Sequence, residues 1–193
     1  MKLNNLPRDT YQDLLLPDRT EKGFKDTEKT WDNIKGEVDF RNKIVLDIGC
    51  NSGYFMLQAL FSGCIKAIGV DLNGTHFATP AVNIKKPFEI AEDVFNKWEL
   101  SDKIVLIEGD WMDAKIDDNI DIVLCLSVSH YFKDLENGLR KIFDLQAGLL
   151  IFEAHPITIS TLLILALEYN YITKTRINSH WNSYEIIKLQ SER

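Results

Sequence analysis

Short apolar runs alternate along the chain with longer stretches in which apolar residues recur every three or four positions. KIVLDIG, opened by Lys43, is the first strand pattern, and YFMLQALFSG follows it as a helix stopped at Gly63. IKAIGVDLN predicts a second strand, KPFEIAEDVFNKWEL a helix, KIVLIEGD a third strand, and DIVLCLSVSHYF contains a fourth. ENGLRKIFDLQ reads as a helix, GLLIFEAHP as a fifth strand, and ITISTLLILALEYN as a last helix with Asn170 suited to the left-handed position beyond its end. Strands apolar on both faces and separated by helices predict a parallel sheet covered on both sides. YITKTRI and YEIIKLQ, β-branched and aromatic around the polar break NSHWNS, predict a closing antiparallel hairpin. The expected fold class is α/β: a doubly wound, mostly parallel sheet with helices on both faces and a C-terminal antiparallel hairpin. Residues 1–42, with Pro7, Pro17 and Gly23, read as helical or irregular pieces laid over the main domain of residues 43–193.

Composition narrows the class. At 193 residues, 45% hydrophobic and 26% charged, the chain suits one well-cored globular domain. The net charge of −7 is unevenly placed: residues 1–43 balance nine basic against nine acidic groups, whereas 44–170 carry nine basic and eighteen acidic. An acidic body is a poor platform for nucleic acid, whose binding relies on releasing phosphate counterions. Cys50, Cys64 and Cys125 have no metal-ligand spacing, and Cys125 lies within an apolar run, a usage that suits a reducing cytoplasm. MKLNNLPRDT has no apolar leader core, and ITISTLLILAL is about half the length needed to cross a bilayer.

The candidate chemistry starts in VLDIGCNSGYF (Val45–Phe55), where a buried strand reaches Asp47 and crosses Gly49 and Gly53 into a helix. Glycines in such a turn let backbone approach a ligand closely, and doubly wound sheets bind at the carboxyl ends of their strands. The dinucleotide fingerprint G-x-G-x-x-G is not met by Gly49-Cys50-Asn51-Ser52-Gly53. Two further acids end the next two strands, Asp71 in AIGVDLN and Asp110 in IEGDWMD. Either alone is an ordinary turn or N-cap residue. An acid at the place of Asp71 is also suited to accept hydrogen bonds from ribose hydroxyls.

An acid, one residue, glycine, three residues and glycine resemble the first motif of class I S-adenosylmethionine-dependent methyltransferases, and the likeness extends over residues 43–193. It implies a Rossmann-like methyltransferase sheet and S-adenosyl-L-methionine as cofactor, with no metal. Asp47 would then sit near the cationic amino-acid end, and the backbone of Gly49, Cys50, Asn51 and Gly53 would approach the cofactor, helped by the positive end of the following helix. Asp71 would hold the ribose, Leu72 pack on the adenine face, and Asp110 bind the adenine amino group with Trp111 beside the ring. Ser127, after the fourth strand, completes the cofactor-binding set. Asn51 stands where many members carry glycine, and asparagine tolerates the positive φ such a turn needs.

Methyl transfer needs alignment and exclusion of water, and a base only where the acceptor holds a proton in the way. Ser127, Ser129, His130 and Tyr131 follow the fourth strand; His130 is the candidate base, the alternative being that this turn only roofs the cofactor. Glu153 and His155 form a second polar pair at the fifth strand, for the acceptor or, for His155, as a cap before Pro156. Trp31, Trp98 and Trp181 read as packing residues. YQDLLLPDRTEKGFKDTEKTW and DFRNKIVLDIGCNSGYF are similar to tRNA wobble-uridine carboxymethyltransferase-like proteins. DIVLCLSVSHYF, and the asparagine in DIGCNSG, resemble RNA 5′-phosphate-methylating capping enzymes. The expected function is methyl transfer from S-adenosylmethionine to an unidentified acceptor of small or medium size, by a monomer or homodimer not bound to a membrane. The alternatives are an RNA- or tRNA-modifying methyltransferase of the wobble-uridine type, and a catalytically idle cofactor-binding subunit.

Overall fold

The computed structural model of the chain describes residues 10–36, 38–74, 86–179 and 183–192; Trp181 and the first nine residues lie outside them. A two-stranded ribbon, β1 (Leu14–Leu15) and β2 (Thr20–Glu21), leads into α1 (Thr27–Lys35). The predicted alternation then follows: β3 (Ile44–Ile48), α2 (Tyr54–Phe61), β4 (Lys66–Asp71), α3 (Pro87–Lys97), β5 (Ile104–Glu108) and β6 (Ile122–Leu126). After these come α4 (Leu135–Asp144), β7 (Leu149–Ala154), α5 (Pro156–Glu168) and the hairpin β8 (Tyr171–Asn178) and β9 (Glu185–Ser191). Asn170 has φ +59, the left-handed exit expected after α5.

Seven strands form one sheet in the order β5-β4-β3-β6-β7-β9-β8. The first five are parallel, and β9 runs antiparallel between β7 and β8. The chain winds outward from β3 through β4 to β5, then returns to place β6 on the other side of β3. The crevice between β3 and β6 is thus the switch point where doubly wound sheets bind ligands. β6, Ile-Val-Leu-Cys-Leu, is buried throughout because helices cover both faces.

Alternation along each strand divides the core. Leu46, Ile48, Val123, Cys125, Leu150 and Phe152 pack under α4 and α5, and Val45, Leu124, Leu126 and Ile151 pack under α1, α2 and α3. The second face also takes Leu14, Leu16, Trp31 and Ile34. Residues 10–36 therefore contribute to the core on that face of the sheet. By the same period of two, Asp47 in β3 and Glu153 in β7 point into the face that the N-terminal segment covers. Among the described residues no helix is long and apolar enough to cross a membrane.

Candidate active site

The turn after β3 takes three positive φ values: +75 at Gly49, +49 at Asn51 and +81 at Gly53. Asn51 adopts the left-handed conformation its side chain tolerates. A β-carbon on Gly49 would meet the Val128 side chain at 2.7 Å, and one on Gly53 the Phe95 ring at 2.8 Å. Both glycines therefore serve packing as well as turn geometry. The Gly49 and Cys50 amides donate to the Val70 carbonyl, Asn51 to Asp71 Oδ2 and Gly53 to the Cys50 carbonyl. What these four positions offer a ligand is a close-approach surface more than free donors. Cys50 itself is buried, with its sulfur in the core beside Gly69. The start of α2 is capped from outside: Gln12 Oε1 accepts from Tyr54 N at 3.1 Å and Ser52 Oγ at 3.3 Å.

Three acids line the strand ends, each in a different state. The Asp47 carboxyl is 1% exposed, and neither oxygen has a hydrogen-bond partner among the described residues. Burial drives its pKa well above the carboxylate range, Asp71 adds to the rise, and Lys25 opposes it. Asp71 accepts from Asn51 N at 3.0 Å and Asn73 N at 2.8 Å, locking the β3 and β4 turns together. Asp110 accepts from Met112 N at 3.0 Å and pairs with Lys133 at 2.9 Å, which hold its pKa below the usual value. Leu72 stands at this rim 69% exposed, an apolar side chain in need of a cover. Trp111 is placed differently from its expected position beside a base. Its indole is buried in the core, donating to the Gly138 carbonyl at 3.1 Å with Lys141 Nζ 4.7 Å above the ring. The indole's size is what a core takes most readily, so only the Trp111 backbone follows Asp110 along the rim.

Beyond β6, Ser127 has φ +60 and donates to Glu153 Oε2, which also accepts from Lys25 Nζ. Lys25 donates to Ser127 Oγ at 3.0 Å as well. Thr30 Oγ1 at 3.4 Å and Ser179 Oγ at 2.5 Å complete the Glu153 carboxylate. Burial alone would raise the Glu153 pKa; Lys25 and the hydroxyls hold it below the usual value. Glu153 is thus withdrawn from the rim. His155 takes its capping alternative, Nδ1 accepting from Ile157 N at 3.2 Å at the start of α5. His130 is half-buried, with Nε2 3.4 Å from Tyr184 Oη and a buried Nδ1 without a partner. Burial, His155 and Lys25 push its pKa down to about 4, so it is neutral at pH 7.

Gln12 and Lys25 escape a reading of the sequence, because nothing marks either among charged neighbours. For Lys25 the available signal lay in its partner: an acid inside the apolar run GLLIFEA demands a buried counter-charge.

The sequence matches the methyltransferase domain family over residues 19–189. The chain belongs to that family. It carries a methyltransferase domain. The methyltransferase is 27% identical over 121 residues to the tRNA U34 carboxymethyltransferase of Helicobacter pylori (strain G27), covering 61% of this chain and 42% of that protein. The tRNA U34 carboxymethyltransferase of Nautilia profundicola is 30% identical over 120 residues, 62% of this chain and 35% of that one. The methyltransferase thus spans less than half the length of these curated relatives. An S-adenosylmethionine dependent methyltransferase from Mesorhizobium loti shares the fold at a TM-score of 0.66 and 12% identity, over 84% of this chain and 97% of that one.

The residues of the methyltransferase fit S-adenosyl-L-methionine as cofactor. A buried carboxyl group with no partner is costly unless a cation or donor completes it, and Asp47 is in that state at the carboxyl end of β3. An α-ammonium group is a ligand of the required charge.

Proposed function

We propose that the cofactor lies across the carboxyl ends of β3, β4 and β5, and that the acceptor enters from the β6–β7 side. The observation that carries this placement is the buried, unpartnered Asp47 carboxyl beside the glycine turn. In this reading Asp47 faces the amino-acid end, Gly49, Cys50, Asn51 and Gly53 form the floor, and Asp71 takes the ribose. Leu72 covers the adenine face, and Asp110 with the Trp111 backbone borders the adenine edge. Ser127, held in its left-handed conformation by the bond to Glu153, bounds the cofactor on the acceptor side. When bound, S-adenosylmethionine supplies an electrophilic methyl group on a positively charged sulfur. Residues 10–36 act as a fixed cover, tied down by Gln12 and Lys25, that keeps water from this group. His130 orients the acceptor through a hydrogen bond; a pKa near 4 suits an acceptor of hydrogen bonds better than a strong base.

The acceptor in this reading is small or medium-sized. The doubled acidic count over residues 44–170 disfavours a phosphate backbone. A second reading, transfer to tRNA, is favoured by the names of the curated relatives. Calorimetry with S-adenosylhomocysteine tests the cofactor placement. Asp71→Ala is expected to weaken binding by roughly 3–6 kcal/mol, the range for two charge-assisted hydrogen bonds. Unchanged affinity in a folded variant would refute it. Incubating cell extract with methyl-labelled cofactor and fractionating RNA, protein and small molecules distinguishes the two acceptor readings.

A further inference from the structure

Past the ends of β6 and β7, ring side chains gather around His130. Tyr131 lies against His130 with centroids 4.0 Å apart, and the His155 ring is 5.3 Å from His130. Tyr184 meets both imidazoles edge-on, at 5.6 Å from His130 and 5.0 Å from His155. Tyr11, from the N-terminal segment, is near enough to Tyr131, Tyr184 and Glu153 for their charges to raise its pKa, after the larger effect of burial. Tyr131 is nonetheless 63% exposed. The patch abuts the cofactor turn, because Val128, three residues before Tyr131, packs on Gly49.

We propose that this ring cluster is the acceptor site and that it takes an uncharged planar nitrogen heterocycle, stacked on Tyr131 with its polar edge toward His130 and Tyr184. The inference rests on the cofactor placement proposed above. Flatness follows from the walls. Ring pairs favour offset or edge-on partners, and the site offers the exposed Tyr131, with Tyr184 edge-on to the two imidazoles. Neutrality follows from the charges. Lys25, the cation buried nearest, is consumed by Glu153, and Glu153 is enclosed by Lys25 and three hydroxyls. Among the described residues, an anionic acceptor would find no spare cation in this cluster, and an ammonium no spare carboxylate. The polar end follows from a loose contact: at 3.4 Å, the Tyr184 hydroxyl and His130 Nε2 can turn to a ligand atom at little cost. A ring nitrogen attacks with its own lone pair, so a weakly basic His130 suffices. One N–C bond forms and one C–S bond breaks with its electron pair left on sulfur. The proton on the methylated ring passes by way of His130 Nε2 to water.

The test uses the full chain saturated with S-adenosylhomocysteine, and benzimidazole as probe, followed by NMR chemical-shift titration. Benzoate is the planar anionic control and a tRNA anticodon stem-loop the RNA arm. Benzimidazole should bind, with benzoate at least about tenfold weaker. Tyr131→Ala should weaken benzimidazole by roughly 2- to 12-fold, the range of one aromatic contact, while Tyr131→Phe restores it. S-adenosylhomocysteine affinity, measured in each variant, should not change. If S-adenosylhomocysteine binds but benzimidazole does not, the acceptor inference fails and the cofactor placement stands. Equal binding of benzoate, indifference to Tyr131→Ala, or Tyr131-dependent binding of the stem-loop alone would likewise overturn it. Failure of the parent chain to bind S-adenosylhomocysteine overturns both.

Discussion

Replacing Lys25 by methionine removes the cation paired with the buried Glu153 carboxylate and keeps a side chain of similar length. Glu153 then retains Thr30, Ser127 and Ser179 as hydroxyl partners and has lost its counter-charge. Breaking a buried pair from one side generally costs roughly 3–5 kcal/mol. Proton uptake sets a ceiling here. A glutamic acid of ordinary pKa 4.5 is protonated at pH 7 for about 3.4 kcal/mol and at pH 5 for about 0.7 kcal/mol. In the parent, the Glu153 pKa is lowered, so the stability it contributes is complete above 4.5 and lost only as pH falls through the lower folded value. The parent pair is therefore constant between pH 5 and 7. In Lys25→Met the folded pKa rises above 4.5 instead, and the variant loses stability as pH increases. Urea unfolding of parent and variant should show a deficit that grows by up to about 2.7 kcal/mol from pH 5 to pH 7. Lys25→Met/Glu153→Gln should recover most of the pH 7 deficit and lose the pH dependence. A deficit equal at both pH values, or a double variant no more stable than the single one, would refute the buried-pair account.

Gln12→Ala strips the acceptor from Tyr54 N and Ser52 Oγ, and should cost about 1–2 kcal/mol in urea unfolding; a loss near zero would mean that another group caps α2. The His130 ring protons should titrate near pH 4 by NMR. Because its pKa is lowered, stability from neutral His130 is complete above about 6.5 and drains away toward pH 4, a slope that His130→Gln should remove; a midpoint above 6 would contradict its burial. Gly36→Ala, at φ −63 with open space around the new carbon, should stabilise by about 0.4–1 kcal/mol. Gly138→Ala in α4 should instead destabilise by roughly 1–2 kcal/mol, since its carbon meets the Phe132 ring at 2.5 Å. Thermal unfolding that ranks the two glycine variants the other way would show that Phe132 moves aside freely.

The alternation of apolar runs with helical patterns was enough to place the strands and helices from residue 44 onward, because strands buried on both faces and helices buried on one have different periods. The turn chemistry was equally local. Asn51 and Asn170 both adopt the left-handed conformation that their side chains permit. The acids Asp47, Asp71 and Asp110 stood out as strand-terminal residues in the sequence alone. What the sequence left undecided was how distant segments meet. The hairpin read as an edge and forms one, but that its second strand pairs with β7 and its first lies outermost was a choice made by sheet pairing over tens of residues. Trp111 has the same backbone position whether its indole covers a ligand or fills the core, and the space under α4 decided for the core. Lys25 and Glu153 are 128 positions apart, and neither carries a local sign of the other. Burial converts an ordinary surface lysine into an obligatory partner, since a lone carboxylate is costly only once water is excluded, and that exclusion exists only in the folded chain.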